Sequence, residues 1–164
     1  MATPHVSGIA AMRKKNHPDW SPAAIMTTAH VVDRDGKPIT DESKGYKPAS
    51  LFATGAGHVN PSAANDPGLV YDLQPEDYIP YICGLGFEDG VVQSMTRIAV
   101  QCATVGSITP EELNYPSIAV SLNSTTPEKN IRRTVTNVRE PDEAYQAEIE
   151  EPKRVKVDVS PDRL

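Results

Sequence analysis

Three residue types that can cooperate in acyl transfer stand near the start of the chain: His5, Ser7 and Asp19. A serine nucleophile needs a base within hydrogen-bond reach and a third group to orient that base. His5 and Ser7 are two residues apart and would point to different sides of a helix, so this set is not a triad. The other histidines, His17, His30 and His58, are scattered along the sequence and are read as structural, with His58 bracing a loop between Gly57 and Val59. Asn60 and Asn65 lie in turn contexts and do not present an oxyanion-binding amide. Cys83 and Cys102 match no zinc spacing, and no second pair of ligands accompanies them. Asp33-x-Asp35-Gly36 has the opening of a calcium loop but neither its third acidic position nor its distant Glu. No catalytic, cofactor-binding or metal-binding residue is therefore assigned. Asn123-Ser124-Thr125 is an N-glycosylation sequon in a polar, looped stretch, and Asn123 is its acceptor.

The elements around these residues change character along the chain. Val6, Ile9, Ala10 and Met12 have helical spacing, and Arg13, Lys14 and Lys15 fall in the last turn, where cations suit the dipole. Pro4 is tolerated because first-turn amides have no intrahelical acceptor. Pro18 ends this helix, Ser21 is a good N-cap for the next and Pro22 a good first residue. Residues 31–70 are mostly loop, with turns at Asp33–Pro38 and Lys44–Pro48 and a strong turn signal at Asn65-Asp66-Pro67-Gly68. Pro75 to Gly86 reads as a short helix with Tyr78, Tyr81, Ile82 and Leu85 on one side. From about Glu111 the period becomes two, giving strands near 113–122, 131–138, 144–150 and 154–160 with one wet face each, and Asp66–Asp72 is a further strand candidate.

Several strings carry a family resemblance. Met1-Ala2-Thr3-Pro4-His5-Val6-Ser7-Gly8 resembles the stretch that follows the nucleophile in subtilisin-like serine proteases, where the serine lies in Gly-Thr-Ser-Met-Ala-Thr-Pro-His. His17 to Ile25 with Met26-Thr27-Thr28-Ala29 resembles the two helices that close the subtilase catalytic domain; plant members carry about four more residues between these pieces. At 1.5 Å per residue, that difference shortens a helix by about 6 Å and turns its face by about 40°. Gly55 to Pro61, Asn65 to Asp72, Leu113 to Ser117 and Arg133 to Val138 are also similar to plant, cucumisin-like subtilase sequence.

The resemblance implies an α+β chain: closing helices of a doubly wound α/β catalytic domain, then an incomplete fibronectin-type-III-like antiparallel β-sandwich. The expected divisions are residues 1–70 for the catalytic-domain part, 71–110 for a connecting helix and linker, and 111–164 for the sandwich. A serine endopeptidase working through an acyl-enzyme is implied, with chain order Asp, His, Ser. The nucleophile would directly precede Met1 and the catalytic His lies far upstream, so His5 is not that His. Both ends are expected to be cut, the triad absent, the chain inactive alone, and residues 1–60 marginal in stability. A secreted parent makes a Cys83–Cys102 disulfide plausible, beside the alternative of two buried thiols, and strengthens Asn123 as a glycosylation site. No signal peptide is visible. The implied partners are a peptide or protein substrate, acting through the intact parent, and a second copy meeting the C-terminal domain. The competing reading is a non-catalytic remnant acting as an interaction or structural module.

Composition sets limits. A net charge of −6 across 164 residues argues against nucleic acid or an anionic membrane as partner. No apolar run approaches the ~20 residues that span a bilayer. Fifteen prolines and few aromatics describe a turn-rich chain with a limited supply of large core side chains.

Overall fold

A computed structural model describes residues 2–164. The first helix, α1 (Ala2–Asn16), starts four residues earlier than its apolar spacing predicts and ends two residues before Pro18. Most of its surface is open, with Val6 and Met12 more than two-fifths exposed, and it packs on α4 (Pro61–Asn65). Its last-turn cations are not simply a solvated dipole partner. Arg13 is 3% exposed; its guanidinium donates to the carbonyls of Trp20 (3.3 Å) and Ser21 and lies 5.9 Å from the Trp20 ring centroid. His17 stacks on the other partner, Trp20, at 3.6 Å. Burial pulls the Arg13 guanidinium below its ordinary value, and its Nε is buried without a hydrogen-bond partner among the described residues.

The second helix, α2 (Ala23–Thr27), is only five residues long, in keeping with the short spacing between its two sequence pieces. Ser21 Oγ accepts from the Ala23 amide at 3.2 Å and donates to the Tyr71 carbonyl at 2.7 Å, so the expected cap also pins the helix to a later loop. Ala23 and Ala24 meet Ala64 of α4, all nearly inaccessible, and the small side chains let the two helices approach closely.

A two-stranded hairpin follows, β1 (Thr40–Asp41) with β2 (Lys47–Pro48), and then the short helix α3 (Leu51–Thr54). The Asp33–Pro38 turn closes on backbone: Asp33 Oδ1 accepts from the amides of Asp35 and Lys37, both at 2.9 Å. One oxygen of that carboxylate thus serves the turn. Asn60 caps α4 by accepting from Ala63 N at 3.1 Å. Gly57 sits at φ +113°, and a Cβ there would stand 2.3 Å from the His30 carbonyl oxygen. Only glycine lets residues 30 and 58 pair through two backbone bonds of 2.8 Å.

The best-packed unit lies between residues 78 and 105. It comprises α5 (Tyr78–Gly84), α6 (Asp89–Thr96) and α7 (Cys102–Val105). Cys83, Val92 and Val100 form its core, with Ile79, Ile82 and Cys102 packed against them. A disulfide joins Cys83 to Cys102, Cα to Cα 5.5 Å. Asp89, in the first turn of α6, also accepts from the Cys102 amide at 3.0 Å and so caps α7. Leu85, expected on the buried side of α5, is 46% exposed because the helix has ended and the chain turns away at Gly86.

The C-terminal third departs most from expectation. Of the four strands expected there, regular pairing is limited to β4 (Thr136–Asn137). Its partner is β3 (Leu69–Val70), inside the Asp66–Asp72 candidate, with Val70 opposite Thr136. Elsewhere in this region one isolated bridge joins Gln146 and Arg163. Over 131–136 the period of two survives in exposure, with Ile131, Arg133 and Val135 half-buried and Arg132, Thr134 and Thr136 open. Ile118, Leu122 and Ile149, expected on buried faces, are instead more than two-fifths exposed because no facing sheet covers them. What is missing is the backbone ladder. Residues 113–117 run beside 131–135, yet side chains join them: Asn114 exchanges bonds with the Thr134 backbone (2.9 and 2.8 Å), and Arg133 donates to the carbonyls of Glu111 and Tyr115, both at 2.8 Å. An amide side chain has taken the place of a strand's own peptide group.

Candidate functional site

The structure keeps the candidate catalytic residues apart. His5 and Ser7 share α1, and Asp19 lies beyond its C-terminal end. From residue 5 to the end of that helix is about 16 Å at 1.5 Å per residue, far outside hydrogen-bond reach. His30 and His58 come together only through the backbone bridge. The His30 ring faces Asn60 (Nε2 to Nδ2, 3.0 Å), and His58 Nδ1 lies 3.1 Å from the Val59 carbonyl. His58 thus braces its loop as expected. Asn65 accepts from the Asn16 side chain at 2.8 Å, joining the ends of α4 and α1. Among the described residues, no three His, Cys, Asp or Glu side chains gather as a metal site, and no helix is long and apolar enough to cross a membrane.

Two clefts remain. The larger, about 590 Å³, separates the Pro18–Pro22 turn from α5 and α6, with Lys14, Trp20, Tyr78, Met95 and Ile98 among its walls. The second, about 420 Å³, lies between α5 and the 113–119 segment, under Tyr78, Tyr81, Leu113 and Tyr115. Tyr78 borders both; burial first, then the neighbouring Tyr115 and Asp77, pushes its phenol above the ordinary tyrosine range. A neutral phenol and apolar walls supply a packing surface. They contain no nucleophile beside a base.

The polar contacts that matter most were not singled out by any motif. Arg139 clamps Asp66 with Nε to Oδ1 at 2.7 Å and Nη2 to Oδ2 at 3.0 Å, next to the β3–β4 pair. That hydrogen bond holds the Asp66 carboxyl below the usual carboxylate range. Tyr115 reaches across to Met26 Sδ at 3.1 Å. These two contacts tie the N-terminal half to the C-terminal third, and Ser21–Tyr71 ties the start of α2 to the loop after β3. No local signal marks them, because their partners are 50 to 89 residues apart. Asn123 sits in an exposed reverse turn, its Oδ1 accepting from Thr125 N (2.9 Å), Thr125 Oγ1 (2.6 Å) and Thr126 N (2.8 Å).

The described residues thus form helices, a disulfide-tied unit and a β region poor in ladder bonds. Similarity to known proteins identifies the family. A fibronectin type-III domain model matches residues 112–164. Over all of its length the chain is 48% identical to the subtilisin-like protease SBT1.2 of Arabidopsis thaliana, covering 21% of that protein. It is 44% identical to SBT1.6 of Arabidopsis thaliana and 43% identical to SBT3 of Solanum lycopersicum, again over its whole length and 22% of each relative. The chain belongs to the plant subtilisin-like protease family. It spans about a fifth of the length of the curated relatives it matches. The strings read as subtilase in the sequence thus lie within a similarity that runs through the entire chain. The fibronectin type-III match includes the segment where side chains replace ladder bonds.

Proposed function

We propose that this chain is the supporting portion of a plant serine endopeptidase that cleaves peptide bonds in peptide or protein substrates through an acyl-enzyme. Residues 1–70 would belong to its catalytic domain, 71–110 to a connector and 111–164 to a fibronectin-like module. The observation that carries this reading is α1. It opens at Ala2, within the Met-Ala-Thr-Pro-His string, and runs for 15 residues. A serine placed just ahead of that string sits at a helix N-terminus, where free amides and the positive dipole end favour an oxyanion. The exposed faces of α1, and Phe52, which is fully exposed in α3, are surfaces that the remainder of a catalytic domain would cover. The Cys83–Cys102 disulfide supports an oxidising, extracellular setting.

In this reading the 164 residues are inactive alone, since His5 and Ser7 lie on one helix and Asp19 beyond its end. The test is labelling with a fluorophosphonate, alongside hydrolysis of a casein substrate. The probe is applied to this chain and to the longer protein in which Gly-Thr-Ser precedes the Met. Labelling of the longer protein alone is expected. Labelling of the 164-residue chain would overturn its inactivity. Failure of the longer protein to label, with its Asp and His motifs intact, would favour a non-catalytic module. One observation favours that second reading: the backbone of residues 118–122 has no strand partner among the described residues, and such an edge can add a strand from another chain, including a second copy of this one.

A further inference from the structure

We propose that Asn123 is a modification site bearing an N-linked oligosaccharide. Asn123-Ser124-Thr125 has the acceptor pattern with a non-proline middle residue. The structure adds two things a pattern cannot supply. Residues 121–130 are exposed throughout, so a bulky glycan displaces no packing. The turn's side-chain bonds all go to the other atom of the carboxamide. Oδ1 accepts from Thr125 N, Thr125 Oγ1 and Thr126 N, while the Asn123 and Thr126 backbones bond to each other at 3.1 and 3.2 Å. Nδ2, the atom that would be glycosylated, has no hydrogen-bond partner among the described residues and stands in solvent.

The step balances simply. Nδ2 forms a bond to C1 of the first sugar, and the bond from C1 to a lipid-pyrophosphate donor breaks. The pyrophosphate leaves with the electron pair, and the amide loses one proton. Because Nδ2 holds nothing in the turn, its substitution leaves the fold as it is. Asn60-Pro61-Ser62 is the instructive contrast. Its middle proline removes it from the acceptor pattern, its Oδ1 caps α4 and its Nδ2 faces the His30 ring. The disulfide between Cys83 and Cys102 is the independent sign that the chain matures where such donors are found. A glycan at residue 123 stands beside Leu122, which is 42% exposed, and screens the unpaired 118–122 segment from edge-to-edge association.

This inference rests on the extracellular setting and not on catalysis, so serine-probe labelling and glycan occupancy are read separately. The experiment is mass spectrometry of the peptide containing Asn123, from the whole protein secreted by plant cells, before and after a peptide N-glycosidase. One oligosaccharide mass is expected on that peptide, with conversion of Asn123 to Asp on enzymatic release. Asn123→Gln and Thr125→Ala should each abolish the added mass, and Ser124→Ala should keep it. Recovery of wholly unmodified Asn123 from secreted protein with an oxidised Cys83–Cys102 bond would overturn the proposal. So would persistence of the mass on this peptide in Thr125→Ala.

Discussion

Residues 78–105 and residues 112–164 were built from similar material and reached different ends. The first segment forms three helices around Cys83, Val92 and Val100, tied by a disulfide. The second has one buried large apolar residue, Leu113, and one two-residue strand whose partner lies near residue 70. A helix satisfies its backbone within four residues and needs only one apolar face to be covered. A strand leaves every peptide group waiting for a neighbour. Where the neighbour does not come, Asn114 and Arg133 side chains take over some of the bonds.

The sharpest way to break this contrast is to open the disulfide. It closes a 19-residue separation, and loop-closure entropy for a loop of that size is worth about 3 kcal/mol. In Cys83→Ala with Cys102→Ala, amide exchange in α5 to α7 should accelerate to resemble that of residues 112–164, where protection is expected to be low already. Unchanged protection would mean that apolar packing alone holds the unit. Next comes Val92, fully inaccessible at the centre of that core. Val92→Ala should cost about 2 kcal/mol through lost burial and a cavity, read by urea denaturation, with exchange in the C-terminal third unaffected. In the looser region Asn114→Ala removes two bonds to the Thr134 backbone. The expected cost is about 1 kcal/mol, appearing as faster exchange at Thr134 but not in α6.

The smallest effect concerns pH. Arg139 donates to the exposed Asp66 carboxylate and lowers its pKa, so the folded-state value lies below the unfolded one. The clamp's contribution is complete above the ordinary carboxylate range and disappears as pH falls through the lowered value. Arg139→Ala should therefore weaken protection of the β3–β4 pair at neutral pH and make little difference in strong acid. An NMR titration placing Asp66 at its ordinary carboxylate value in the wild type would remove the basis for this effect.

Legibility followed the range of the interaction. The string at Met1–Val6, the helix over 6–15, the turn at Asp33–Pro38 and the proline-led helix near residue 78 are local features, and each was readable because its cause lies within a few residues. Arg13 was readable only as a last-turn cation. Its burial depends on the Trp20–Ser21 carbonyls and the Trp20 ring arriving from beyond Pro18. The strands over 113–160 were readable as alternation, but it survives as alternating exposure only over 131–136, while Ile118, Leu122, Ile149 and Val159 are exposed, because alternation does not name a partner.

The sequence by itself determined the family, the first two helices and the one near residue 78, the turn chemistry and the sequon, because residue type and spacing act over one or two turns of chain. It did not show the helices at 51–54, 61–65, 89–96 and 102–105. Tertiary structure alone decided that Cys83 comes to lie against Cys102, that Leu69–Val70 and not a neighbouring strand pairs with Thr136–Asn137, and that Asp66 meets Arg139 across 73 residues. Such pairings depend on which distant groups the packed helices bring within about 3 Å, and no local pattern carries that information.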